Sequence, residues 1–200
     1  MGRFTRISED AFDALQLNAG VLLTDFDIEN PYVTPTGDTI LATTSGGINT
    51  TCKASFSDYG EDVDNVPNGM MEFKQLDNWD CSMSFTTIKF NAENTVFALG
   101  AADKEMLANG VAKIKPRRDV HLSDFKDIWW VGDKADGGAY AVKLKNALST
   151  EGINIQSTKN NKGTMGVTLT GHVSLNAQDD MPMEFYDIPA ATPTTPTTGD

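Results

Sequence analysis

The feature that most constrains this fold is a strict alternation of apolar and polar residues, which recurs along the chain. One run alternates from residue 48 to residue 56 and another from residue 165 to residue 175. Successive residues of a strand point to opposite faces of a sheet, so both runs predict half-buried β-strands. A third run, residues 140–145, follows an Asp-Gly-Gly turn sequence at residues 136–138 and predicts the second strand of a hairpin.

Helix signals are confined to short segments. Asn91 is a good N-cap and Gly100 is a good C-terminal stop. Together they predict a helix that begins after Asn91 and runs through about Leu99. Ser8 predicts a short helix near the start of the chain, and residues 103–108 predict one more helical turn. The fold class is therefore mainly β and antiparallel, with one principal helix.

A long acidic loop separates the first alternating run from two further predicted strands. Residues 57–70 read SDYGEDVDNVPNGM, and residues 71–76 and 79–90 are predicted as strands. Residues 1–188 are predicted to form one domain. Residues 189–200, PAATPTTPTTGD, contain only small residues, Pro, Thr and one acid, and are predicted to be a disordered tail.

The charge of the chain disfavours a grip on nucleic acid. The net charge is -12, and residues 1–100 hold 15 acidic against 5 basic side chains. Such a surface repels phosphates over about a Debye length, ~8 Å at physiological salt. No apolar run is long enough for a membrane helix and no signal peptide is visible, so we expect synthesis in the cytoplasm and no membrane partner.

No motif of catalysis, metal binding or cofactor binding stands out. The chain has two histidines and two cysteines, and Cys52 and Cys81 lie in phase with apolar neighbours, which predicts buried thiols. The acidic loop lacks the Gly and Glu positions of a calcium-binding EF-hand when it is aligned from Asp62. The sequence therefore predicts no enzyme activity, no metal and no cofactor.

Two adjacent tryptophans, Trp129 and Trp130, pose a packing problem. If DIWWVGD is a strand, the two indoles point to opposite faces of the sheet and cannot share one core. Two interpretations remain open: a neighbouring copy covers the second indole, or a helix of the same chain does.

The one concentration of positive charge consists of Lys113, Lys115, Arg117 and Arg118. It lacks the interleaved aromatic residues that single-stranded nucleic-acid sites use. It is either the complement of acidic surface on a neighbouring copy or a solvated strand edge, with a nucleic-acid contact as the weakest alternative.

Four stretches of the sequence resemble a known family: the block GGINTTCKASFSDYGEDVDNVPNGMMEFKQLDNWDCSMSFTTIKFNAE, then DIWWVGD, GGAYAVKLKNALSTEGINIQS and KGTMGVTLTGHVSL. In order and local phrasing they are similar to the major tail tube protein of long-tailed, non-contractile bacteriophages. The likeness spans roughly residues 5 to 188.

This resemblance implies a β-sandwich or barrel flanked by a helix, whose copies form hexameric rings that stack into a tube. One sheet of each copy would contribute to an inner barrel through which double-stranded DNA passes without specific binding. Stacking between rings would be mediated by residues 56–71 and by an N-terminal segment, residues 1–8. The tape measure, terminator and distal tail proteins would be further partners, and the virion tail its location.

Within that framework, two sets of residues are candidates for function. Asp25, Asp27 and Glu29 share one face of an extended run and are predicted to line an acidic bore, although a solvated strand face remains an alternative. The predicted contacts between copies are Tyr59, Glu61, Asp62, Asp64, Lys115, Arg117, Arg118, Trp129 and Trp130.

The main competing hypothesis is a monomeric β-sandwich binding module for a carbohydrate or a protein. In that case an exposed tryptophan would stack on the ligand.

Overall fold

The computed structural model describes Ser8 and residues 11–191. Two predicted segments lie outside the described residues: the N-terminal segment of residues 1–8, apart from Ser8, and residues 192–200 of the tail. Residues 11–14 form turns and not a helix. The strands are β1 Gln16–Leu23, β2 Ile40–Ala42, β3 Thr44–Asp58, β4 Lys74–Thr87, β5 Ala102–Met106, β6 Ala112–Pro116, β7 Lys126–Lys134, β8 Ala139–Ser149, β9 Asn154–Gln156, β10 Thr164–Thr170 and β11 Met183–Ile188; the helix is α1 Ala92–Leu99.

Nine strands form two layers with antiparallel pairing throughout, as the sequence predicted. The first sheet has the order β2-β1-β7-β8-β11, and the second has β3-β4-β10, with β9 and the end of β8 beside β10. β8 belongs to both sheets, because Ser149 and Leu148 pair with β10. At the opposite edge only Thr43 separates β2 from β3, so the layers form a barrel-like sandwich.

The main core lies between the two sheets. Met83 and Phe85 of β4, Leu144 of β8 and Val167 and Leu169 of β10 are all buried there. These are the apolar positions of the alternating runs, and burying each such side chain contributes about 1.5–3 kcal/mol. The period-2 signal therefore identified these inward positions correctly, whereas Val173 and Leu175 of the predicted run lie beyond β10 and are exposed.

Helix α1 begins and ends where the sequence predicts. The Asn91 side-chain oxygen accepts a hydrogen bond from the backbone N–H of Asn94 at 2.7 Å. Gly100 has φ 74°, and a Cβ there would lie 2.5 Å from the Ser149 carbonyl oxygen, so only glycine fits. The buried Ala98 joins the helix to the main core.

Three predicted boundaries are wrong. Residues 103–108 belong to the hairpin of β5 and β6, because the Asn-Gly turn at residues 109–110 folds one strand back on the other. The two strands predicted over residues 71–76 and 79–90 are one strand, β4, preceded by a single 3-10 turn. β10 ends at Thr170; the N–H of Gly171 still bonds to the Cys81 carbonyl of β4, but the N–H of the next residue, His172, bonds to the Lys145 carbonyl of β8.

Candidate assembly surfaces

A long ribbon projects from the second sheet. β10 pairs with β4 only from Ser82 to Thr87, whereas β3 and β4 remain paired out to Asp58 and Lys74. We call residues 53–80 the arm. A two-stranded hairpin without a packed face is marginally stable in water, so the arm has less support than the rest of the domain.

Apolar side chains lie open on the arm. Phe56 and Leu76 are cross-strand partners and are 60% and 44% exposed. The register shift between Ser55 and Phe56 leaves Asp77 of β4 without a register partner and brings Leu76 opposite Phe56, which the alternation alone did not predict. The arm therefore carries an apolar strip that its own chain does not cover.

Ionic and backbone contacts hold the end of the arm together. Lys74 pairs with Asp58 at 3.1 Å, and the Asp58 side chain also accepts a hydrogen bond from the Gly60 N–H at 3.0 Å. The hydrogen bond from Lys74 lowers the pKa of Asp58. We call the Asp58–Lys74 pair the clamp. The predicted contact residues beyond it are all exposed, namely Tyr59, Glu61, Asp62 and Asp64. Their role between copies stays a prediction.

The free edge of β3 is a second open surface. β3 is 15 residues long and, within the described part of the chain, pairs only with β4. A strand edge of this length presents a row of unpaired N–H and C=O groups that can pair with another chain.

Small polar residues cover the outer face of the second sheet where its three strands pair, and Glu151 lies at the margin of this face. Across the three strands, Asn49 lies opposite Ser84 and Ser84 opposite Thr168, while Thr51 lies opposite Ser82 and Ser82 opposite Thr170. Hydroxyl and amide groups therefore cover this face, which we call the hydroxyl face.

The predicted bore residues Asp25, Asp27 and Glu29 lie in a loop and not on a strand. Asp27 accepts hydrogen bonds from the Glu29 N–H at 2.9 Å and from the Asn30 side chain at 3.0 Å, and the bond from Asn30 lowers the pKa of Asp27 most. Phe26 packs on the first sheet, where its ring contacts Trp129. This loop covers the first sheet, on the opposite side of the molecule from the hydroxyl face.

Both tryptophans are packed within their own chain. Trp129 is 7% exposed and packs on Phe26 and Tyr186, each with ring centroids 5.4 Å away. Trp130 faces the main core and donates a hydrogen bond from its indole N–H to the Ala19 carbonyl at 3.0 Å.

The cover of Trp129 is a loop and β11, so the expectation of a covering helix is wrong. The expectation that a neighbouring copy must cover one indole is also unnecessary. A role for Trp129 and Trp130 between copies stays a prediction, with little of Trp129 left to contact.

The basic cluster divides into bound and free members. Arg117 bonds both carboxylate oxygens of Asp124 at 2.6 Å and lies 3.1 Å from Asp103, and the bond to Asp124 raises the pKa of Arg117. Its guanidinium is thus engaged by carboxylates of its own chain, and the role of Arg117 between copies stays a prediction. Lys115 lies 3.9 Å from Glu105 and is exposed, as is Arg118.

The chemistry of the described residues is sparse. Over Ser8 and residues 11–191, no three His, Cys, Asp or Glu side chains cluster closely enough to hold a metal ion. No helix in the same residues has the length and hydropathy needed to cross a membrane. The Sγ atoms of Cys52 and Cys81 lie 3.0 Å apart at the base of the arm, and burial raises the pKa of Cys81 to about 12.

Comparison with known proteins gives no family. No family model and no curated protein matches the chain. Among solved structures, a chain in the virion of a native gene transfer agent aligns over 84% of this chain and 95% of its own at 8% identity, with a TM-score of 0.42.

Two other solved structures align over most of the chain. A chain in the tail of an empty gene transfer agent particle aligns over 78% of this chain and 92% of its own at 10% identity, with a TM-score of 0.39. One in the sheath-tube complex of an extracellular contractile injection system, in its extended state, aligns over 71% and 80% at 13% identity, with a TM-score of 0.41. Likenesses at these values establish neither family nor function.

Proposed function

We propose that this chain is a structural protein without catalytic activity, whose copies form hexameric rings that stack into the tube of a phage-type tail. The carrying observation is the long β3–β4 ribbon, whose free edge and projecting arm have no partner in the described chain. The resemblance of the sequence to tail tube proteins supports the same conclusion and supplies the hexameric count.

The free edge of β3 supports association within a ring. An edge strand of 15 residues in an isolated domain invites uncontrolled pairing with other chains. Closing the second sheets of all copies into one barrel removes such edges. A ring in which β3 of each copy meets the next copy therefore satisfies the backbone groups of this strand.

The same arrangement selects the surface that lines the bore. If the second sheets join, their hydroxyl face and the Asp25 loop cannot both face inward, because they lie on opposite sides of the molecule. The hydroxyl face is the one on the joined sheet. We therefore place it in the bore, and Asp25, Asp27 and Glu29 on the outer side of the ring.

A bore whose lining lacks cations suits the passage of DNA. Strong DNA binding draws on lysines and arginines that displace counterions from the phosphates. The hydroxyl face offers no cation along Asn49, Ser84 and Thr168, so DNA would pass without being held. The virion tail as location, synthesis in the host cytoplasm, and contacts with tape measure, terminator and distal tail proteins complete the proposal and rest on the sequence resemblance.

Negative-stain electron microscopy of the purified full chain tests this proposal. We expect rings or tubes at high protein concentration, and a sedimentation profile dominated by assemblies. Monodisperse monomers in both measurements over the whole accessible concentration range would refute it.

The alternative of a monomeric carbohydrate-binding module is not favoured. It required an open tryptophan, yet Trp129 lies beneath Phe26 and Tyr186, and the indole N–H of Trp130 is bound to Ala19. The Trp129 ring therefore presents no free face for stacking on a sugar, and the Trp130 ring packs partly against the main core.

A further inference from the structure

Two protrusions of the domain lie at opposite ends. β4 runs from Lys74 at the end of the arm to Thr87 in the body, 14 residues or about 45 Å. α1 then turns back, since Gly100 lies against Ser149, which is paired to the level of Met83 through β10.

The hairpin of β5 and β6 reverses direction once more. Lys104 of β5 lies 3.7 Å from Glu93 in the first turn of α1, while Arg117, just beyond β6, donates its backbone N–H to Ala101 after the last turn of α1. The hairpin therefore runs alongside α1 with its turn directed away from the arm. We call residues 102–118 the basic hairpin and residues 58–74 the acidic tip.

These two protrusions carry opposite charge. The acidic tip holds five carboxylates and one lysine, for a net charge of -4, and the basic hairpin holds five cations and two carboxylates, for a net charge of +3. Glu61 and Asp62 of the tip, and Lys113 and Arg118 of the hairpin, are exposed and form no salt bridge within the described residues. Lys113 lies three residues beyond the turn of the hairpin and Arg118 lies at its base, so each protrusion carries free charge of one sign.

Exposed apolar side chains accompany the charges at both ends. Val63, Met70 and Met71 are exposed in the acidic tip, and Met106, Leu107 and Val111 around the turn of the basic hairpin. A contact between the two protrusions would bury apolar surface and pair opposite charges together, as protein interfaces do with an apolar centre and a polar rim.

We propose that the acidic tip of one copy docks on the basic hairpin of a copy in the next ring. The proposal rests on the stacking of rings proposed above and names both of its contact surfaces. The contact is head to tail, so it repeats without closing and builds a tube. Each pair of exposed charges contributes little alone, but all copies of a ring engage at once, and multivalency multiplies the effect.

Charge reversal at both ends tests this docking. One variant carries Glu61→Lys and Asp62→Lys, and the other carries Lys113→Glu and Arg118→Glu. Each variant alone has like charges at both ends, so we expect rings that fail to stack, with at least a tenfold rise in the concentration needed for tubes. Mixing the two variants, or combining all four substitutions in one chain, should restore tubes, because opposite charges meet again.

The control is Asp25→Lys with Glu29→Lys, which changes the net charge equally on the loop over the first sheet. We expect normal tubes from it. Thermal unfolding and counting of rings in micrographs accompany each variant, so loss of folding or of rings is separated from loss of stacking. Absence of rings in the unaltered chain would refute the proposed function itself.

Several outcomes would overturn the docking while leaving the ring intact. These are normal tubes from either single-end variant, failure of the combined variant to stack although it folds and forms rings, or equal loss of tubes in the control. Restoration only in the mixed and combined samples supports the contact.

Discussion

Replacing the apolar pair of the arm should weaken assembly without weakening the fold. Phe56→Ser with Leu76→Ser removes two cross-strand partners that are 60% and 44% exposed. Full burial of such a side chain contributes about 1.5–3 kcal/mol, so covering the part that is still exposed in the single chain contributes about 2 kcal/mol per copy for the pair. At 1.4 kcal/mol for each tenfold change, the concentration required for assembly should rise roughly 30-fold.

The assay is sedimentation of polymer over a concentration series, with thermal unfolding of the unassembled chain measured beside it. The matched control is Leu175→Ser, another leucine that is 82% exposed but lies away from the arm. We expect the control to assemble normally and all variants to keep the melting temperature of the parent.

Two results would contradict this reasoning. Assembly of the arm variant at the parent's concentration would show that nothing covers the apolar strip. A large drop in the melting temperature would show that Phe56 and Leu76 stabilise the single chain, and that their exposure misled us.

Three further predictions concern the fold and the clamp. Gly20→Ala should lower the unfolding free energy by at least 1–3 kcal/mol, because φ of Gly20 is +69° and the new Cβ would lie 2.4 Å from the indole nitrogen of Trp130. Thermal unfolding measures this loss, and Gly37→Ala, whose new Cβ meets nothing within 4 Å, is the neutral control. A mild oxidant such as diamide should join Cys52 to Cys81 in a disulfide, with each thiol losing a proton and an electron, and mass spectrometry should show the loss of two hydrogens. The reaction should be faster at alkaline pH, because the pKa of Cys81 is raised to about 12 and the thiolate is the reactive form. Persistence of two free thiols would contradict the distance between the two sulfur atoms. The pKa of Asp58 is lowered in the folded chain, chiefly by the hydrogen bond from Lys74. The clamp should therefore be intact above the ordinary carboxyl pKa and be lost as the pH falls through the lower folded value. Hydrogen exchange of the arm should rise in that pH range in the parent, and Asp58→Asn should remove the pH dependence.

Local signals in the sequence predicted the body of the domain well. The inward positions of β3, β4, β8 and β10, and the helix from Asn91 to Gly100, follow from residue periodicity and capping, which act over a few neighbouring residues. Boundaries failed where a distant contact decides the outcome. β10 ends early where the His172 N–H bonds to the Lys145 carbonyl of β8, and no local pattern encodes that contact.

The candidate surfaces were harder to predict for the same reason. The acidic loop was visible in the sequence, but its position on a projecting arm depends on where β10 stops pairing with β4. Asp25, Asp27 and Glu29 have the alternation of a strand, yet Pro31 and Pro35 follow closely, and the run folds as a loop over Trp129. Arg117 looked like its basic neighbours, and only the tertiary structure brings Asp103 and Asp124 to it.

The packing of both indoles within the chain, with Trp129 buried and Trp130 half-buried, changes where an incomplete surface is to be sought. Had Trp129 or Trp130 been bare, the single chain would expose a large aromatic ring in the middle of its first sheet, and folding and assembly would depend on the same residues. Instead the body packs both indoles, and the arm and the edge of β3 leave apolar side chains and backbone groups uncovered. Folding and assembly then rest on different residues. A variant such as Gly20→Ala should lower the melting temperature, and one such as Phe56→Ser with Leu76→Ser should lower assembly alone.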